Sequence, residues 1–250
     1  METLLDLIIL FVSAFLAGCL NAIAGGGSFL TFPALVFVGV PPIAANATSA
    51  VAVFPGYLSG AAGFLKELRD FDRRALTVLF ILSMVGGIAG GLLLLVTPSE
   101  IFTFVVPWLL LFATILFAFD KQIRALASRK GDINPVSKTL VTLAVTTYGG
   151  YFNGGLGIVL LALFSGLGFR DINLMNGLKN VLSFILSGAS VVTFLLAGIV
   201  YVPEAIVMMI AATAGGYIGA RLARRMSIQT VRAIVIVVGL VMSAAFFLQS

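Results

Sequence analysis

Histidine is absent from this chain, and cysteine occurs once, as Cys19. The first absence removes the commonest metal ligand and the usual proton shuttle at neutral pH. The second rules out an internal disulfide. Charge is scarce as well: 10% of the 250 residues are Asp, Glu, Lys or Arg, against about 25% in a soluble domain. No Asp or Glu falls deep within an apolar segment, so the paired carboxylates of acid–base catalysis are missing there. The sequence therefore argues against an enzyme and calls for no cofactor and no metal.

Apolar surface takes the place of charge. Hydrophobic residues make up 60% of the chain, and mean hydropathy is +1.16. Runs such as 75–96 and 101–119 match a bilayer's hydrocarbon core, which takes about 20 helical residues to cross. A lipid-facing barrel would show shorter, alternating segments. The composition predicts an all-α polytopic membrane protein with the lipid bilayer as its constant partner. The net charge of +5 follows from positive cytoplasmic loops rather than from nucleic-acid binding. Leu16-Ala17-Gly18-Cys19 mimics a lipoprotein processing site, but Glu2 and Asp6 are the only charges ahead of it. A secretory signal needs a basic leader, so the first apolar segment is expected to stay in the mature protein.

The basic residues fall into few places. Lys66, Arg69, Arg73 and Arg74 share one loop, and Lys121, Arg124, Arg129, Lys130 and Lys138 share the next. Arg170 stands in a tight turn, and Arg221, Arg224, Arg225 and Arg232 form a last group. The breaks at 40–42, 97–100 and 201–204 contain no Lys or Arg. The positive-inside rule places the first set in the cytoplasm and the second outside. Residues 43–64, 75–96 and 101–119 then cross in alternation, as do 174–198, 204–220 and 230–248. The stretches 4–38 and 139–167 each begin and end on one side, so each crosses twice or dips in and returns. The expectation is eight to ten membrane segments with both termini external.

The halves also resemble each other. Gly25 pairs with Gly155, Gly27 with Gly157, Asn46 with Asn176 and Phe64 with Phe194, all at one spacing. Gly87 and Gly90 match Gly216 and Gly219 after a one-residue slip. A fixed offset implies a duplicated unit, and an odd number of crossings between the copies makes them inverted. The expected organisation is a first membrane repeat over 1–120, a basic cytoplasmic linker over 121–138 and a second membrane repeat over 139–250. Inverted repeats with broken helices are a recurring plan of secondary transporters.

Each half carries a glycine-rich cluster early on: Asn21-Ala22-Ile23-Ala24-Gly25-Gly26-Gly27-Ser28, and Gly149-Gly150-Tyr151-Phe152-Asn153-Gly154-Gly155-Leu156-Gly157. Two readings fit. Small residues let helices pack closely. Alternatively, each cluster breaks the chain near mid-bilayer and starts a half-helix, over 29–38 and 158–167. The free N–H groups and positive dipole end of such a start suit an anion.

One cation is not explained by topology. Lys179 sits inside an apolar segment, nine residues beyond Arg170, which is about 13 Å up a helix. Charge at membrane depth is costly and is usually kept for function. Snorkelling to the surface and bracing the two halves are the structural alternatives. Asn176, Lys179, Asn180, Ser183, Ser187 and Ser190 recur at helical spacing, giving Lys179 a polar face. Asn46, Thr48 and Ser49 occupy the corresponding place in the first half, with Ser49 at the position of the lysine. An anionic ligand is the natural partner for this face.

These residues carry a resemblance. Asn21, Gly25-Gly26-Gly27-Ser28-Phe29, Pro33-Ala34-Leu35, Pro41-Pro42 and Ala45-Asn46-Ala47-Thr48 in the first half, with Asn153-Gly154-Gly155 and Asn176-Gly177-Leu178-Lys179-Asn180 in the second, resemble the sulfite exporter TauE/SafE family. The resemblance runs in order along essentially the whole chain. It implies a bacterial inner-membrane permease for sulfite, thiosulfate or an organosulfonate. The expected substrate site joins Lys179, Asn176, Asn180, Asn46, Thr48 and Ser49 to the two breaks, Asn21, Gly25, Gly26, Gly27 and Ser28 on one side and Asn153, Gly154 and Gly155 on the other. An anion channel through the same pore is the alternative, and a homo-oligomer is compatible with the sequence.

Overall fold

A computed structural model of the chain describes residues 4–23, 26–127, 134–222 and 228–249. Gly25, Arg129, Lys130, Arg224 and Arg225 lie outside the described residues. Every regular element among the described residues is a helix. α1 (Leu4–Ile23) leads into the short α2 (Ser28–Phe37), followed by α3 (Pro42–Ala62), a small α4 (Leu65–Arg69), α5 (Arg73–Val96) and α6 (Ser99–Ala118). α7 (Asp120–Ala127) joins the halves. Then come α8 (Pro135–Tyr151), the short α9 (Leu156–Gly166), α10 (Ile172–Leu196), α11 (Val202–Leu222) and α12 (Ile228–Gln249).

The helix boundaries follow from local chemistry. Asp72 caps α5 by accepting from the Arg74 and Ala75 amides, and Asp171 caps α10 through Asn173 and Leu174. Asn134 caps α8 at 2.7 Å from the Ser137 amide, with Pro135 in the first helical position, where its missing N–H costs nothing. The two short helices end alike. Val40 N–H donates to Leu35 and Gly39 N–H to Val36, and Phe169 and Gly168 repeat the pattern onto Phe164 and Ser165. This double closure needs a left-handed residue after the helix, and Gly39 (φ +90°) and Gly168 (φ +95°) supply it.

Among the described residues, four stretches are long and apolar enough to cross a membrane: Leu4–Asn21, Arg73–Val96, Ser99–Leu116 and Ile172–Leu196. Shorter apolar helices accompany them at Ser28–Phe37, Leu156–Gly166, Val202–Ile218 and Ile236–Leu248. On α6, Ile101, Phe104, Trp108, Phe112 and Ile115 form an exposed apolar stripe, and α5 exposes Ile81, Val85, Ile88 and Leu92. Such continuous apolar faces need a lipid covering. The chain is built as a polytopic helical membrane protein.

Helix pairing runs mainly between the halves. α1 packs along α11, α8 along α5, α3 against α10 and α6 against α12. Small residues permit the close approaches. A Cβ on Gly215 would collide with the Phe15 carbonyl on α1, and one on Gly90 with the Thr147 carbonyl on α8. Gly150 is pressed against the backbone of Gly87 at 2.6–2.9 Å from where its Cβ would stand.

The two expected half-helices are present, displaced by a residue or two at each end. The second glycine cluster divides into two roles. Gly149 and Gly150 lie inside α8 and serve helix packing, and the break itself spans 152–155. The region expected as a linker holds α7 and the first turn of α8, which begins at Pro135 rather than at 139. Glu204 departs from the expectation that no acid is buried: it is 5% exposed. The cause is tertiary. The turn before α11 folds back on α3, where the Tyr201 amide donates to Thr48 Oγ1 at 3.0 Å, and this covers the first turn of α11.

Candidate functional site

α3 and α10 cross at Phe54 and Phe184, whose rings stack at 4.6 Å and 13°. The helices run in opposite directions, because Thr48 near the start of α3 bonds the turn after α10. At the other end, Phe64, just past α3, packs on Gly177 near the start of α10. Both breaks reach this crossing.

At the first break, Asn21 folds forward from the end of α1. Its Oδ1 accepts from the Gly26 and Gly27 amides at 3.1 and 3.3 Å. That leaves its NH2 group to face α3, where Nδ2 lies against Gly56. At the second break, Asn153 accepts from the Tyr57 hydroxyl through Oδ1 at 2.8 Å and donates through Nδ2 to Ser187 Oγ at 3.1 Å. The Tyr148 hydroxyl fixes the same break by donating to the Gly154 carbonyl at 2.6 Å. Gly155 begins α9 at φ +68° against Ala113 of α6. A polar chain thus runs Tyr57–Asn153–Ser187, linking α3, the second break and α10, and Asn21 with its Gly26 and Gly27 amides lies against α3 at Gly56. Asn153 and Ser187 are buried, at 7% and 0% exposure.

The expected residues separate along the bundle axis. Asn176, Asn180, Ser183 and Ser187 form one stripe on α10, and Asn180 meets α3 where a Cβ on Gly60 would stand 2.9 Å from its Cγ. Lys179 is half-buried and engaged within the fold. It lies five residues before Phe184, about 8 Å short of the crossing. Asn46 lies eight residues before Phe54 on the antiparallel helix. It therefore sits on the far side of the crossing, about 20 Å or more from Lys179 along the axis. Its amide donates to the Tyr151 carbonyl at 2.8 Å, closing the end of α8. Thr48 holds the turn before α11, and Ser49 shares a 2.6 Å hydrogen bond with Thr31 of α2. Ser28 is buried at the start of α2. The structure thus joins Asn21 to Gly26 and Gly27 at the first break, ties Asn153 to Tyr57 and Ser187 at the second, and packs Asn180 of α10 against Gly60 of α3. Asn46, Thr48 and Ser49 brace other contacts.

Tyr57 is the central residue that sequence reasoning missed. Its one signal was position, since it lies opposite Ser187 at the spacing that relates Asn46 to Asn176.

The sulfite exporter TauE/SafE family matches residues 10–246. The chain belongs to this family. A protein of Haemophilus influenzae named "Probable membrane transporter protein" is 30% identical over 98% of this chain and 96% of its own length. The Escherichia coli K12 "Probable membrane transporter protein YfcA" is 26% identical over 97% of this chain and 90% of its own. A Sinorhizobium "Probable membrane transporter protein ORF9" is 24% identical over 94% and 89%. No solved structure matches the chain. The TauE/SafE match takes in both breaks, all of α3 and all of α10.

Proposed function

We propose that this chain is a secondary transporter that moves a small sulfur-containing oxyanion, such as sulfite, thiosulfate or an organosulfonate, across the bacterial inner membrane. The convergence of both glycine breaks on one polar cluster at the α3–α10 crossing carries this reading. Non-helical backbone at membrane depth is tolerated where it lines a cavity or is covered by protein. Hydrogen-bond donors from amides, a phenol and a serine suit an oxyanion, and Lys179 adds positive charge below them on the path toward the basic loops. The family match and the transporter names of the relatives agree with it.

The mechanism follows from two inverted repeats, α1–α6 and α8–α12, with both termini external. The pairing supports this arrangement. α1 on α11 and α8 on α5 are the same contact exchanged between copies, and α3 on α10 and α6 on α12 are self-pairs. Phe54 and Phe184 share the spacing of the sequence repeat and stack on each other, as residues on a pseudo-two-fold axis do. Alternating access then comes from one repeat rocking on the other about this crossing.

Thermal-shift measurements on the purified protein with sulfite, thiosulfate, sulfoacetate, sulfate, phosphate and acetate test the substrate class. Stabilisation confined to the sulfur anions is expected. Equal response to all six anions, or none, would count against the proposal.

A further inference from the structure

We propose that the Asn153 carboxamide is a two-position switch that decides whether the Tyr57 hydroxyl is free to bind the transported anion. This rests on the reading above and adds how the site opens to its ligand.

The chain of bonds has one direction. The Gly26 and Gly27 amides donate to Asn21 Oδ1, which turns the Asn21 NH2 group toward Gly56 of α3. The Tyr57 O–H donates to Asn153 Oδ1, and Asn153 Nδ2 donates to Ser187 Oγ. Asn21 is pinned by two backbone amides and cannot turn without stranding them. Asn153 is different. Its carboxamide lies between two hydroxyls, and each hydroxyl both donates and accepts. The amide is therefore satisfied in either orientation, and rotation about its terminal torsion costs no hydrogen bond.

The two orientations differ in one consequence. In the observed one, the Tyr57 proton is committed to Asn153. In the other, the Ser187 O–H donates to Asn153 Oδ1 and Asn153 Nδ2 donates to Tyr57 Oη. Tyr57 then accepts from Asn153, and its own O–H is released. The released donor lies at the crossing, beside both breaks, polarised by the Asn153 amide donating onto its oxygen; bonds in such a chain strengthen one another. An oxyanion, which accepts and cannot donate, binds only the second orientation at this point. A ligand shifts an equilibrium by its differential affinity for two states. The Tyr57 phenol is thus the selective donor, and Asn153 acts through it as a positioning residue.

The test uses the full chain in detergent and reads the sodium thiosulfate concentration giving half of the thermal shift, with sodium chloride as control. Tyr57→Phe removes the released donor and is expected to raise that midpoint about tenfold. Asn153→Asp replaces the donating NH2 by a second acceptor and holds the Tyr57 proton, so it is expected to raise the midpoint at least as much. In the Tyr57→Phe background, Asn153→Asp is expected to add less than about a further twofold, because both changes remove the same bond. Multiplying losses in the double variant overturn the switch, as does an unchanged midpoint in either single variant. If Asn153→Asp does not fold, a Tyr57→Phe midpoint within about twofold of wild type overturns it alone. A wild-type protein that responds to no sulfur anion overturns both this inference and the transporter reading.

Discussion

Asn46 and Lys179 stand at related depths in the two halves, yet the crossing separates them, and they answer to different forces. Asn46 is 5% exposed and closes the α8 carbonyl of Tyr151. Asn46→Ala is expected to cost about 1 kcal/mol of stability, read as a lower melting temperature, with the half-saturating anion concentration unchanged. Lys179→Ala removes the charge nearest the crossing on α10. It is expected to leave the fold intact and to reduce anion uptake by proteoliposomes about tenfold or more, because charge-assisted bonds are about twice as strong as neutral ones. Equal effects of the two variants on uptake would contradict this division.

At the scale of elements, glycine does two jobs that one-dimensional reading cannot separate. Gly90 lies within α5, where a Cβ would meet the Thr147 carbonyl and stand 2.5 Å from the Tyr151 amide. Backbone cannot yield as a flexible side chain does, so Gly90→Leu is expected to cost about 3 kcal/mol. The readout is loss of the monodisperse protein on gel filtration, and a well-behaved Gly90→Leu protein would contradict the α5–α8 packing. Gly154 instead abuts its own break, where a Cβ would stand 2.5 Å from the Phe152 ring. The half-helices were legible because Gly-rich breaks and terminal glycines bracket an apolar run at both ends. The Gly149–Gly150 pair was not, because its partner Gly87 is remote in sequence and only the fold presents it.

The same limit explains the site. Asn21, Asn153 and the α10 stripe announce themselves as polar residues in apolar surroundings. Tyr57 does not, since a tyrosine in a small-residue helix reads equally as packing, and its partner Asn153 arrives from a remote part of the chain. Lys179 was legible as an exception, but counting from Arg170 cannot show where α10 meets α3. Glu204 was hidden for the reverse reason: it reads as a loop residue until the turn folds onto Thr48.

For the whole molecule, the charge map makes a prediction of its own. In a Cys19→Ala background, Ser99→Cys is expected to react with a membrane-impermeant maleimide in intact cells. Gln122→Cys is expected to react only after permeabilisation. Reversed labelling would invert the topology, and labelling of both sites in intact cells would break the alternation on which the inverted repeat depends.

Transport itself is the most direct test. Purified wild-type protein and Tyr57→Phe, reconstituted into liposomes, are compared for uptake of radiolabelled sulfite against an outward gradient of unlabelled sulfite. Saturable, counter-gradient-stimulated uptake by the wild type and a half-saturating concentration about tenfold higher in Tyr57→Phe are expected. Uptake no greater than in protein-free liposomes, or a linear rise with sulfite that Tyr57→Phe leaves unchanged, would contradict the transporter reading.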